Sequence, residues 1–352
     1  MGMTVEMVDK KGPHFPEPLQ SPDDGQYQRV MEKKVNVKAE LDYVYKAITL
    51  TRHKLKGRVP LIGFCGAPWT LLCYMVEGGG SKMFVQSKTW IYKYPEAAKA
   101  LLQKIAEICV EYLAQQVAAG AQLVQVFDSW AGELSPATFR TFALPYLRYI
   151  SEHLSKKLKE MGYDAVPMTV FAKGAWYALD DLCQSGYDVV GLDWLHDPAE
   201  AFRIANGRVT IQGNADPGCL YGTKEAITAV VEDMVKGFNG GKQGWIANLG
   251  HGMTVHTSCT VDRLTYNRSY SFRQTRDAEV LLRRNPSSHE IKYPSARSTK
   301  HGTHRRVMII LERGYLLLIG LHADILMPKQ RLALVMSLVS QLHPVHKIIM
   351  VN

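Results

Sequence analysis

The run Leu123-Val124-Gln125-Val126-Phe127-Asp128-Ser129 decides the fold. Apolar residues lead without a turn signal straight into an acid and a hydroxyl. Such a run reads as a strand buried on both faces that ends at a polar rim. The pattern returns at residues 59–64 before Gly66-Ala67-Pro68, at 166–171 before Lys173 and at 189–192 before Asp193. It returns again at 209–212 before Gly213-Asn214-Ala215-Asp216, and at 245–248 before Leu249-Gly250-His251-Gly252. Residues 123–127 complete a set of six predicted strands.

Helical patterns separate them. Phe139, Phe142, Tyr146, Ile150, Leu154 and Leu158 recur at three and four residues after Ser135-Pro136, a good cap and first turn, and Gly162 is a good stop. Pro145 is expected to kink or split this helix. Asp197-Pro198 opens another helix that Gly207 closes. Thr223 opens a third, with Ile227, Val230, Val231 and Met234 on one face. A further helix is expected over roughly 38–55. The first 28 residues, rich in Pro, Gly and charge, read as a loop or an exposed hairpin.

Strands alternating with helices imply a parallel sheet covered on both faces, either an open doubly wound sheet or a (β/α)8 barrel. The strand ends favour the barrel, whose active sites gather on one rim. No Gly-x-Gly-x-x-Gly follows a first strand, as a dinucleotide fold would need. The expectation is therefore an α/β chain forming an incomplete TIM barrel of about six βα units, with the missing strands preceding Met1.

The formal charge of +9 is uneven. Residues 1–253 hold 27 basic and 27 acidic residues, and residues 254–352 hold 15 basic against 6 acidic. All six Trp and 25 of 28 Gly also precede residue 254. This excludes a uniformly basic nucleic-acid-binding domain and predicts two unlike parts, 1–253 and a basic tail, 254–352, whether folded or disordered. No nucleic-acid partner is expected. The six cysteines lack Cys-x-x-Cys spacing, which favours reduced thiols in the cytosol. The N-terminus reads as neither signal peptide nor myristoylation site. No uncharged apolar run is long enough to span a membrane, and none is expected to be bound.

The rim sequences carry a resemblance. Residues 63–81, containing Gly66-Ala67-Pro68-Trp69-Thr70 and Tyr74-Met75-Val76-Glu77-Gly78-Gly79-Gly80, resemble uroporphyrinogen decarboxylase. So do Phe127-Asp128-Ser129-Trp130-Ala131-Gly132, Phe142-Ala143-Leu144-Pro145-Tyr146, Gly191-Leu192-Asp193-Trp194, Gln212-Gly213-Asn214-Ala215-Asp216-Pro217 and Asn248-Leu249-Gly250-His251-Gly252. The resemblance covers residues 2–253. It implies a single (β/α)8 barrel, a cytosolic homodimer, and a lyase of haem (porphyrin) biosynthesis. That lyase converts uroporphyrinogen to coproporphyrinogen by removing four acetate carboxyl groups, with no metal or organic cofactor.

It also implies substrate-binding roles. Tyr74 resembles a tyrosine that donates to a reacting acetate, Ser129 a serine that bonds a substrate carboxylate, and His251 a histidine that contacts another. Taken alone, Tyr74 would be a packing residue and Ser129 a turn hydroxyl, and His251 would as readily be a turn residue. Asp128 and Asp193 read better as strand-end caps than as a carboxylate pair. Gly78-Gly79-Gly80 lacks the Lys-Ser/Thr of a phosphate loop and reads as a mobile loop.

Two departures matter. The family's Met-Arg-Gln-Ala-Gly-Arg-Tyr segment and its Ser-Asp pair, which bind substrate carboxylates and the pyrrole N–H groups, are absent, so no catalytic residue is assignable. Little or no decarboxylase activity is expected of the chain as written. After Met253 the sequence turns to Thr254-Val255-His256-Thr257, which reads as an alternative exon or a frameshifted or read-through coding sequence. A basic arm for nucleic acid and a zinc site at His256 and Cys259 are weaker readings. The competing functions are a non-catalytic partial barrel that pairs with a full-length subunit, and a related barrel methyltransferase. The latter would need a zinc set that these residues do not supply.

Overall fold

A computed structural model describes residues 1–8 and 12–253. The basic tail and the His256–Cys259 pair lie outside the described residues. The chain opens with an antiparallel hairpin, β1 (Glu6–Val8) and β2 (Gly12–His14), in keeping with the Pro- and Gly-rich sequence there. Three helices follow: α1 (Gly25–Glu32), α2 (Val37–Glu40) and α3 (Asp42–Leu55). The single helix expected over 38–55 is thus two, joined at Leu41.

Strands and helices then alternate. β3 (Ile62–Gly66) leads to α4 (Pro68–Glu77), α5 (Val85–Lys93) and α6 (Pro95–Ala118). β4 (Leu123–Asp128) leads to α7 (Pro136–Phe142) and α8 (Leu144–Glu160), and β5 (Met168–Ala172) to α9 (Leu179–Cys183). β6 (Val189–Gly191) leads to α10 (Pro198–Ala205), and β7 (Thr210–Ala215) to α11 (Lys224–Gly237) and the last strand, β8 (Trp245–Leu249). The six strands pair in sequence order, all parallel. This is the α/β barrel arrangement expected from the sequence. Among the described residues β3 and β8 are the edges of the sheet.

Alternation along the strands sorts the core. Ile62, Phe64, Leu123, Phe127, Val189 and Ile246 meet on the inner face. Val124, Val126, Val170, Val190 and Ile211 point outward into the larger core beneath the helices. Ser135 caps α7 by accepting from the Thr138 N–H at 3.2 Å. The helix divides at Ala143, where Pro145 in the first turn of α8 can leave its missing N–H unpaired without cost.

The outer edge of β3 is covered by its own helix. The Ala67 N–H donates to Phe127 and the Leu61 carbonyl accepts from Gln122, so the backbone of Phe64 faces the other way. Gln116 of α6, fully buried, answers it. Its Oε1 accepts from the Phe64 N–H at 3.0 Å, and its Nε2 donates to the Phe64 carbonyl at 3.0 Å. The two backbone groups that Phe64 would otherwise leave unpaired at this edge are satisfied by one side chain.

Candidate active site

The C-terminal ends of the strands open on a cleft of about 530 Å³. Phe64, Phe127 and Phe171 form its apolar wall, and Gln125 and Gln212 lie on the same inner surface. Tyr74, Ser129 and His251, far apart in sequence, all line this cleft.

Tyr74 comes from the last turn of α4. Its ring meets Trp130 edge-on, with centroids 6.1 Å apart. Burial, and secondarily the Cys73 thiol, pushes its phenol pKa up, so it stays a neutral donor at neutral pH. The end of α4 is fixed from the N-terminal segment. The Leu19 N–H donates to the Met75 carbonyl at 2.9 Å, and the Phe15 N–H to the Gly78 carbonyl at 2.7 Å. His14 Nδ1 also reaches the Gly78 carbonyl, at 3.0 Å. Gly78 takes the left-handed conformation that ends the helix. The glycine run expected to be a mobile loop is therefore tied down at its first residue.

Ser129 follows β4 and continues the inward parity of Gln125 and Phe127. Behind it, Asp128 is fully buried and points the other way. Its Oδ1 accepts from the Thr70 hydroxyl at 2.5 Å, and its Oδ2 has no partner among the described residues. Thr70 in turn accepts from the Trp130 N–H at 3.4 Å, and Trp69 Nε1 donates to the Trp130 carbonyl at 3.0 Å. These bonds hold the turn that presents Ser129. Burial pushes the Asp128 carboxyl pKa up to about 7.

Asp193 is the opposite case. It accepts from the backbone N–H groups of Gly174 and Leu195, and His196 Nδ1 lies 3.2 Å from its Oδ1. Burial works to raise its pKa, but these bonds outweigh burial and hold it below the usual carboxylate value. Both aspartates make the hydrogen bonds of strand-end anchors.

His251 stands at the mouth of the cleft, two residues past β8. Its ring faces Phe171 at 6.2 Å and Trp194 at 6.5 Å. Partial loss of water among these rings, and next the Lys173 ammonium, press its pKa below the ordinary histidine value. It is therefore neutral at neutral pH and available as donor or acceptor. Gly250 sets its place: a Cβ there would lie 2.6 Å from the Trp194 backbone nitrogen. Lys173 also lines the cleft. The sequence puts it at a strand end, but only the two-residue step from Phe171 signals that it faces inward.

Among the described residues no group of three His, Cys, Asp or Glu side chains is placed to hold a metal ion. No described helix is long and apolar enough to cross a membrane.

Comparison with known proteins gives the family. The family model "Uroporphyrinogen decarboxylase (URO-D)" matches residues 1–263, ten residues beyond the change of composition after Met253. The uroporphyrinogen decarboxylase of Schizosaccharomyces pombe is 58% identical over 255 residues, covering 72% of this chain and 70% of that protein. The Danio rerio enzyme of that name is 56% identical over 253 residues, covering 72% and 67%. The human one is 50% identical over 253 residues, covering 72% and 68%. Among solved structures, a methyltransferase from Methanosarcina mazei superposes with a TM-score of 0.61 at 18% identity, covering 78% of this chain and 76% of that one. That likeness shows a shared fold and nothing of its chemistry. A family match that spans the whole described sheet, with relatives above half identity, makes the chain a member of the uroporphyrinogen decarboxylase family of carboxy-lyases.

Proposed function

We propose that the cleft binds uroporphyrinogen and that Tyr74, Ser129 and His251 contact its carboxylates. The observation that carries this is the convergence of the three on one cleft with a phenylalanine wall. Such a wall suits a tetrapyrrole face, and a polar rim suits its acids. Losing CO2 from an acetate leaves an electron pair on carbon. A pyrrole protonated at its α-carbon takes up that pair, the C–C bond breaks, and a proton returned to the methylene gives a methyl group as the ring loses its own. The Tyr74 phenol, kept protonated, donates to the reacting acetate. Ser129 and the neutral His251 hold carboxylates and orient the macrocycle.

Among the described residues, Glu40 is the one carboxylate lining the cleft and no arginine lines it. A carboxylate beside the pyrrole nitrogens would stabilise the ring cation, usually the largest electrostatic contribution at such a site. Turnover by the 352-residue chain is accordingly expected to be low even where binding is retained. In this reading the barrel unit is residues 1–253 and the basic tail begins at 254, while the family match itself runs on to residue 263. Trp176, Trp194 and Leu195 are exposed, and a second subunit of a homodimer would take such apolar surface out of water.

The test is anaerobic incubation with uroporphyrinogen, followed by oxidation and chromatography of the porphyrins, alongside titration with uroporphyrin. Binding with only trace coproporphyrin is expected. Failure to bind uroporphyrin at all would refute the assignment, and turnover equal to a full-length relative would refute the expected loss of activity.

A further inference from the structure

Lys173 is the only lysine or arginine lining the cleft among the described residues. Three observations fix where it points. The inner-face parity of β5 runs through Thr169 and Phe171 to position 173. The ladder between β4 and β5 pairs Phe127 with Phe171 and Asp128 with Ala172, and the Lys173 N–H donates to the Asp128 carbonyl at 3.0 Å. Ser129 and Lys173 each follow directly on the last pair of that ladder, and both line the cleft. From there its ammonium is near enough to depress the His251 pKa. Among the described residues no carboxylate pairs with that ammonium, and its backbone carbonyl is spent on the Gly132 N–H at 2.8 Å.

We propose that Lys173 binds an acetate carboxylate of the substrate together with Ser129, as a charge-bearing substrate-binding residue of this cleft. The proposal rests on the uroporphyrinogen reading given above. Ser129, Tyr74 and the neutral His251 supply hydrogen bonds but no net charge, whereas a uroporphyrinogen brings eight carboxylates. An ammonium set against a phenylalanine wall attracts an anion more strongly than the same group in open water. A lysine suits this place because its charge is compact and its stem can follow a carboxylate over a non-planar macrocycle. No bond is made or broken at Lys173, so its role is to bind and orient.

The experiment is a fluorescence titration of the full chain with uroporphyrin and with coproporphyrin, which lacks the four acetate carboxyls. Wild type, Lys173→Met and Lys173→Arg are compared at two salt concentrations. Removing one charge-assisted hydrogen bond is expected to weaken uroporphyrin binding about tenfold, with a smaller effect on coproporphyrin. Lys173→Arg should stay within about threefold of wild type. Uroporphyrin affinity of wild type should fall more steeply with salt than that of Lys173→Met. A merely structural lysine would move neither the discrimination nor the salt response. Equal affinities and salt responses for wild type and Lys173→Met would overturn the proposal while leaving the cleft's assignment intact. A wild-type chain that binds no uroporphyrin would overturn that assignment and this proposal with it.

Discussion

Replacing Asp128 by asparagine should make the protein progressively more stable than wild type as the pH rises from 5 to 8. The reason lies in the carboxyl's surroundings. Asp128 has no exposed surface, one oxygen held at 2.5 Å by Thr70, and a second oxygen with no partner among the described residues. Burial lifts its pKa from the ordinary 3.8 to about 7. An acid whose pKa is higher in the folded state holds its proton more tightly there. Its contribution to stability is therefore full below about pH 4, falls as the pH rises through about 7, and is constant above that. At about 1.4 kcal/mol per pH unit, the whole window is worth about 4 kcal/mol, and the part between pH 5 and pH 8 about 2 to 3 kcal/mol. Asparagine has nearly the same shape, can accept from Thr70, and never ionises. Urea denaturation of both proteins at pH 5, 6, 7 and 8 gives the comparison. Subtracting the two curves cancels every titration they share. Wild type should lose about 2 to 3 kcal/mol relative to the variant across that range. Parallel curves would refute the reasoning, because they would mean that Asp128 is ionised throughout or that water reaches it.

Two further substitutions test the edge and the rim. Gln116→Leu leaves the Phe64 N–H and carbonyl without their partners in a fully buried place, which should cost about 3 kcal/mol and promote aggregation through the bared edge of β3. Thermal denaturation and light scattering would read this, and wild-type values for both would show that the edge is covered in another way. Gly250→Ala puts a methyl group against the backbone of Asp193 and Trp194, where no rotamer change can relieve it. A loss of about 1–3 kcal/mol with several-fold weaker uroporphyrin binding is expected, since His251 moves with the loop. Unchanged stability and binding would refute the close approach.

The barrel order was legible because each strand is a buried apolar run, and burial on both faces leaves a plain mark in sequence. The strand limits were less legible. Residues 59–61 read as strand, yet β3 begins at Ile62, after Pro60 has withheld a ladder donor. Gly213-Asn214 read as the loop after a strand ending at Gln212. Both are buried and paired with Ala247 and Asn248, so β7 runs on to Ala215. A glycine and an amide look like a turn in one dimension, and only the neighbouring strand shows otherwise. The site divides in the same way. Tyr74, Ser129 and His251 could be singled out only through family resemblance, since each residue type is ordinary in its own setting. Lys173 carried a readable signal in its two-residue step from Phe171. Gln116 carried none, because its task depends on a strand more than fifty residues away.

The bonds from Phe15 and Leu19 to the end of α4 govern when the tyrosine is in position. His14 and Gly78 are 64 residues apart in sequence, so the last turn of the helix is completed by chain that must fold back to reach it. An isolated α4 could form its own hydrogen bonds and still lack a fixed end. Residues 15–19 join no ladder and are held by a few backbone bonds and the fully buried Leu19 side chain, whereas the strands are locked into a ladder. Local opening of this segment is expected before that of the sheet, because fewer bonds have to break. Each opening would free Tyr74 while Ser129 and His251 stayed in place beyond the ends of β4 and β8. The cleft would then alternate between a state with all three groups set and one with two, at a rate governed by residues 14–19, none of which lines it.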